Sequence, residues 1–199
     1  MTEALKEDFT EFIFDLKQVV GEQNVLTSEE DLLFYSSDVF KEGLLAALVL
    51  IPQTTEQLSK ALELSNKENF CVIPRGGGLS YTDSYLAKKY NSIIIDMQKL
   101  NNIIQINQDD MFVVVEAGCT WEKLYNALKE KNLRTPYFGA LSGLYSTVGG
   151  AMSQNSIFFG SGEYGSAADQ CLGLEVVLAD GSIMRTGSWS TKFNPSPFF

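Results

Sequence analysis

The chain has 199 residues, 45% of them hydrophobic, and a net charge of −10. That is enough apolar material for one core or two small ones, while so acidic a surface excludes a nucleic-acid face, which needs clustered Lys and Arg. No apolar run approaches the ~20 residues of a membrane-spanning helix, and the acidic start from Met1 to Asp8 lacks a signal-peptide pattern, so the expected location is cytoplasmic.

From Glu3 to Val20, the residues Leu5, Phe9, Phe12, Ile13, Leu16 and Val19/Val20 draw one stripe along an amphipathic helix. Gly21 ends it, and this part is expected to pack outside the remainder. Thr27-Ser28-Glu29-Glu30 reads as the cap and first turn of a second short helix. Ala47 to Ile51 is an apolar strand stopped by Pro52, Thr54 to Lys67 a helix, and Phe70 to Ile73 a strand. That order makes one parallel crossover. Its second strand runs into Pro74-Arg75-Gly76-Gly77-Gly78-Leu79-Ser80-Tyr81. Glycines stand where the chain needs positive φ or where something approaches the backbone closely, and successive N–H groups in such a turn form an anion-binding nest. A tight connection between strands is the alternative, and it needs only one or two glycines. Arg75 is either a charged partner for phosphate or a surface residue holding the loop by a salt bridge.

Ser92 to Asp96, Ile103 to Ile106 and Phe112 to Glu116 read as strands, and Thr120 to Lys131 as a helix. Asp96 at a strand end suits a turn cap better than a catalytic carboxylate. Asp109-Asp110 reads as a surface turn and no metal site is expected. A second glycine cluster, Ser142 to Ser156, leads into a helix that Thr147 is placed to cap; a phosphate contact and close helix packing both suit it. The stretch Pro136 to Gly165, rich in Gly, Ser and Asn and weak in periodicity, is of the length that is either functional or disordered. Cys171 to Ala179 and Ser182 to Thr186 flank Asp180-Gly181, a hairpin with a two-residue turn. Cys71, Cys119 and Cys171 read as small core residues outside any disulfide framework. Tyr81, Tyr85, Tyr137, Tyr145 and Tyr164 line a pocket or fill the core. The absence of histidine removes the commonest general base and metal ligand.

In order along the chain, Leu50-Ile51-Pro52, Pro74-Arg75-Gly76-Gly77-Gly78, Ile93-Ile94-Ile95-Asp96-Met97, Val113-Val114-Val115-Glu116-Ala117-Gly118, Thr147-Val148-Gly149-Gly150 and Gly173 to Gly181 form a set. From Tyr35 to Ser188 this set resembles the FAD-binding, PCMH-type domain of the flavoproteins related to vanillyl-alcohol oxidase, p-cresol methylhydroxylase and glycolate oxidase. The resemblance implies an α+β, two-lobed fold, with a small parallel or mixed sheet lobe and a larger mixed or antiparallel one flanked by helices. Residues 1–40 are expected as an N-terminal helical segment, 41–118 as the first lobe with the pyrophosphate loop, and 119–199 as a second lobe incomplete at its C-terminus.

The resemblance also places FAD. Backbone N–H groups of Gly76, Gly77, Gly78 and Leu79, the Ser80 hydroxyl and Arg75 are assigned to the pyrophosphate; Ser142, Thr147, Gly150, Ser153 and Asn155 to the dinucleotide; a backbone group near Val177 to the adenine end. Many covalent relatives carry a histidine near the position of Leu79, so FAD is expected to bind non-covalently here. The implied reaction is oxidation of a 2-hydroxy acid of the glycolate or D-lactate type. Alternatives are a phenol-oxidising enzyme, a non-catalytic flavin-binding fragment or accessory subunit, and an NADPH-dependent reductase of cell-wall precursor synthesis. Catalytic residues are not assigned, since relatives carry them in a cap domain; the end at Phe198-Phe199 reads as a truncation, with a cap domain or partner subunit missing and the piece alone inactive.

Overall fold

Ile93, Ile94 and Ile95 are at most 1% exposed, and the main sheet is built around them. In the computed structural model, which describes residues 9–136 and 142–187, they form the middle of β4 (Ser92–Asp96). Tyr137 and the chain end lie outside the described residues. The sheet has the order β1-β2-β4-β3, with β1 at Val25–Leu26, β2 at Leu48–Leu50 and β3 at Cys71–Arg75. Strands β2 and β3 both run parallel to β4, which lies between them, and β1 closes the far edge antiparallel to β2. A strand buried on both faces reads as an unbroken apolar run, and β2 and β4 do. Pro74 is tolerated because β3 is an edge strand, where a missing N–H costs no ladder bond.

Two compact units divide the chain, and their limits differ from the expected segments: one holds residues 1–75, 80–99 and 175–184, the other 76–79, 100–174 and 185–199. In the first unit, helix α1 (Thr10–Val20) carries the expected stripe. It does not lie outside: Phe12, Leu16 and Val20 enter the core with Leu48, Leu50, Ile93 and Ile95, and the Phe12 ring stacks on Phe70 at 4.9 Å. Helix α2 (Glu29–Tyr35) is capped by Ser28, whose hydroxyl accepts from the Asp31 N–H. Helix α3 (Thr55–Lys67) is capped by Thr54 in the same way through Gln57.

The second unit holds the antiparallel pair β5 (Ile103–Asn107) and β6 (Phe112–Val115), joined by the expected turn in which Asn107 Oδ1 accepts from the Asp109 and Asp110 amides. Helix α4 (Trp121–Lys129), capped by Thr120, buries Trp121, Leu124 and Leu128 with Cys119 and Ala151. Two short helices follow, α5 (Val148–Ser153) and α6 (Ser161–Tyr164).

The predicted hairpin forms as β7 (Glu175–Val177) and β8 (Ile183–Arg185). Its loop holds three residues, not two: the Gly181 amide donates to Leu178 O and Leu178 N–H to Ser182 O, so Ala179, Asp180 and Gly181 make the turn, with Gly181 at φ 86°. Glu175–Met184 counts with the first unit and not, as expected, with the second. The Ser59 hydroxyl of α3 donates to Gly181 O at 2.5 Å, and a Cβ at Gly181 would lie 2.6 Å from Ser59 O. Cys71 is exposed and Cys171 half-buried, so only Cys119 is the core residue expected of all three. Among the described residues, no helix is long and apolar enough to cross a membrane, and no cluster of acidic or thiol side chains is fit to hold a metal ion.

Candidate cofactor site

Each glycine of the triple has a separate physical reason. Gly76–Leu79 counts with the second unit because it lies against Tyr145–Thr147. A Cβ on Gly76 would fall 2.4 Å from Thr147 Oγ1, and one on Gly77 would fall 1.9 Å from the Tyr145 carbonyl oxygen. Gly78 stands at φ 69°, in the left-handed region that side chains resist. Two of the three are therefore explained by close packing within the protein, Gly76 against the Thr147 side chain and Gly77 against the Tyr145 backbone. The nest survives this explanation: the loop is half-buried, and the amides of Gly77 and Leu79 donate to no described residue. An anion's oxygens fit such donors, which is the chemistry a dinucleotide phosphate brings.

The Tyr145–Thr147 wall is itself held in place. Trp121 N–H donates to Ser146 O, Val148 N–H to Cys119 O, and Gly149 N–H to Ala117 O. Gly149 can approach so closely because it has no side chain; a Cβ there would sit 2.6 Å from Ala117 Cβ. Thr147, 4% exposed, caps α5 as expected through Oγ1 and the Gly150 N–H at 3.2 Å. Close packing and capping are thus both present in this cluster. Ser142 shares a hydrogen bond with the Ser146 hydroxyl, Ser153 donates to Gly149 O, and Asn155 Oδ1 accepts from the Ala168 N–H. These side chains brace the segment. Burial pushes the Cys119 thiol above its ordinary pKa and keeps it unreactive.

Arg75 and Ser80 flank the loop and count with the first unit. Arg75 is neither at the surface nor in an ion pair with any described residue: it is 8% exposed, and three rings stand over its guanidinium, Phe34 at 5.4 Å, Tyr35 at 4.8 Å and Tyr85 at 4.9 Å. The surface salt bridge is therefore corrected. Asp96 is its register partner in β4, but the carboxylate is taken up elsewhere, accepting from the Tyr35 hydroxyl at 2.5 Å and the Gln98 amide at 2.8 Å. The turn-capping role foreseen for Asp96 is present. Burial first, and then this hydrogen bond, hold the Tyr35 phenol protonated well above its ordinary range. The Ser80 hydroxyl lies 2.8 Å from that of Thr82.

Val177 lies in β7 of the first unit and packs on the core that contains Leu48 and Ile95. Of the tyrosines, Tyr85 is buried, Tyr164 packs in the second core, and Tyr81 and Tyr145 are more than half exposed. Sequence reasoning missed the cage of Phe34, Tyr35 and Tyr85, and the Tyr145 carbonyl and Ala117 as the surfaces the glycines serve. No local pattern marks them, because Tyr35 is separated from Arg75 by a helix end, a loop, a strand and a whole crossover.

A family model described as an FAD binding domain matches residues 46–187. The mitochondrial D-lactate dehydrogenase [cytochrome] of Kluyveromyces lactis is 30% identical over 190 residues, which is 91% of this chain and 32% of that protein. Glycolate oxidase subunit GlcD of Bacillus subtilis is 29% identical over 173 residues, 86% of this chain and 36% of that one. Among solved structures, p-cresol methylhydroxylase with substrate bound superimposes at a TM-score of 0.83 and 22% identity, covering 94% of this chain and 37% of that chain. The chain thus spans about a third of the length of the proteins it resembles.

Proposed function

This chain belongs to the FAD-binding domain family, and from that premise we propose that it holds FAD non-covalently and serves an oxidoreductase acting on a small 2-hydroxy acid. The observation that carries the reading is the glycine loop lying within the matched stretch, its Gly77 and Leu79 amides uncommitted to any described residue. These amides donate to phosphate oxygens, while Gly76 and Gly77 keep the loop pressed on Tyr145–Thr147 and Thr147 fixes the first turn of α5. When bound, FAD supplies the acceptor for a hydride from the carbon that bears the hydroxyl, leaving a 2-oxo acid once the hydroxyl proton passes to a base. With Leu79 on the loop and no histidine among these 199 residues, the glycine loop offers the flavin no histidyl attachment.

The 2-hydroxy acid class is favoured by the sequence relatives, whose names specify D-lactate dehydrogenase and a glycolate oxidase subunit. A phenol-oxidising enzyme is the second reading, supported by the likeness in fold to p-cresol methylhydroxylase. The test is titration of the purified chain with FAD, followed by acid precipitation and dye-reduction assays with D-lactate, glycolate and p-cresol. The expected result is a yellow complex whose flavin stays in the supernatant after precipitation. A chain that takes up no flavin refutes the reading, and reduction with p-cresol alone would favour the second. A flavin complex inactive with all three points to a flavin-holding subunit or to residues beyond those here.

A further inference from the structure

Arg75 and Asp96 are register partners on β3 and β4, and both are buried. Opposite charges so placed would be expected to pair, yet among the described residues neither takes part in an ion pair. Nε and Nη1 of Arg75 are shielded from solvent and meet no hydrogen-bond acceptor. A buried cation in that state is costly. Tyr35 touches both groups: its hydroxyl donates to Asp96 Oδ2 at 2.5 Å, and its ring face lies 4.8 Å from Arg75 Cζ. The Gln98 backbone amide holds the other carboxylate oxygen, donating to Asp96 Oδ1 at 2.8 Å.

A phenol that donates to a carboxylate gives up part of its proton and gains electron density in the ring, and cation–π attraction grows with the negative charge on the ring face. A cation on that face in turn makes the hydroxyl a stronger donor. Burial first, and then Asp96, hold the Tyr35 phenol protonated, while the Arg75 charge works against them, so the phenol feels both charges. We propose that Tyr35 and Asp96 are positioning residues for Arg75: the carboxylate acts on the guanidinium through the Tyr35 ring and fixes the plane of the fork beside the glycine loop. Phe34 and Tyr85 complete the cage, and Tyr35 couples it to a counter-charge. This deepens the FAD reading and rests on it only for the effect on flavin affinity; the coupling itself belongs to the protein without ligand.

The experiment is a double-mutant cycle of Asp96→Asn with Arg75→Met, read by urea unfolding, in the wild-type chain and in Tyr35→Phe. Asn still accepts from the Tyr35 hydroxyl but carries no charge, Met keeps a straight stem between the rings, and Phe keeps the ring while cutting the hydroxyl link. The expected result is that D96N lowers the folding constant about fivefold more in the wild type than in R75M, and that this excess falls below about twofold in Y35F. Arg75→Lys, which retains the cation, should keep most of it. Isotope-labelled tyrosine NMR gives a reading that loss of packing alone would not: the Tyr35 Cζ resonance should move away from the phenolate position in D96N. Additive losses overturn the proposal. An excess of the same size with and without the hydroxyl overturns the route through the ring, as does an unmoved Cζ resonance, and that resonance decides if the double variant does not fold. In FAD titration, Y35F and D96N should each weaken binding by roughly threefold or more, with no further loss once Arg75 is Met. Coupled variants that bind FAD as tightly as the wild type overturn the positioning role. A wild type that binds no FAD refutes the flavin reading, and the cycle and the resonance then decide the coupling on their own.

Discussion

Replacing Gly77 by alanine tests the contact on which the loop depends. The added Cβ would lie 1.9 Å from the Tyr145 carbonyl oxygen and 2.6 Å from its carbon, both backbone atoms that no rotamer change can move. A Cβ contact below 3.0 Å is essentially never seen, so the two segments must separate by roughly 1 Å, which places the cost at or above the ~1–3 kcal/mol typical of overpacking. Gly76→Ala is the internal control. Its Cβ meets Thr147 Oγ1 at 2.4 Å, but the remaining Thr147 atoms only at 3.5 Å. Thr147→Ala should therefore relieve the Gly76→Ala clash while itself losing a helix cap worth about 1 kcal/mol, and it should do nothing for Gly77→Ala. Urea denaturation of the singles and doubles, with FAD titration of each, reads both effects; Gly77→Ala should also lose at least roughly tenfold in FAD affinity. A Gly77→Ala chain as stable as the wild type, or one rescued by Thr147→Ala, would show that the loop does not lie on Tyr145 as described.

Gly149→Ala gains about 1 kcal/mol of helix propensity but meets Ala117 Cβ at 2.6 Å and Ala117 O at 2.7 Å; the clash, ~1–3 kcal/mol, should win, and a rise in Tm would contradict it. Tyr35→Phe tests linkage. Because the phenol is held protonated in the folded state above the ordinary value of 10.0, only the unfolded chain releases this proton as pH climbs past 10, so folding stability falls there. The stability advantage of the wild type over Tyr35→Phe should accordingly be full below pH 10 and narrow above it; a constant difference across that range in pH-dependent denaturation would contradict the assigned environment. Thr120→Ala removes the acceptor for the Lys123 N–H at the start of α4 and should cost about 1 kcal/mol with an unchanged m-value in urea.

Much of the fold was legible because its signals are local. The apolar triplet Ile93–Ile95, the helix starts at Ser28, Thr54, Thr120 and Thr147, and the turn at Asp109-Asp110 each depend on a few neighbouring residues, and each forms. The outcomes that departed from expectation are those in which distant segments compete for the same space. Helix α1 was assigned outside because amphipathicity reveals a greasy face but not what that face covers; Phe12 on Phe70 supplies the answer. The Asp180-Gly181 turn took a third residue, with Gly181 in the left-handed conformation and Ser59 donating to its carbonyl.

From its residues alone, then, this chain declared that a glycine loop follows a strand, that another glycine cluster opens a capped helix, and that neither depends on histidine chemistry. Only the tertiary structure decided why the glycines are there and what surrounds Arg75. Gly76 gives way to the Thr147 side chain and Gly77 to the Tyr145 backbone, about seventy positions downstream, and the arginine is enclosed by rings from α2 and from the loop beyond the glycines. The physical reason is that steric exclusion and charge burial are properties of assembled surfaces. A side chain's type states what it is able to do, while the solvent it has lost and the neighbours it has gained settle what it does.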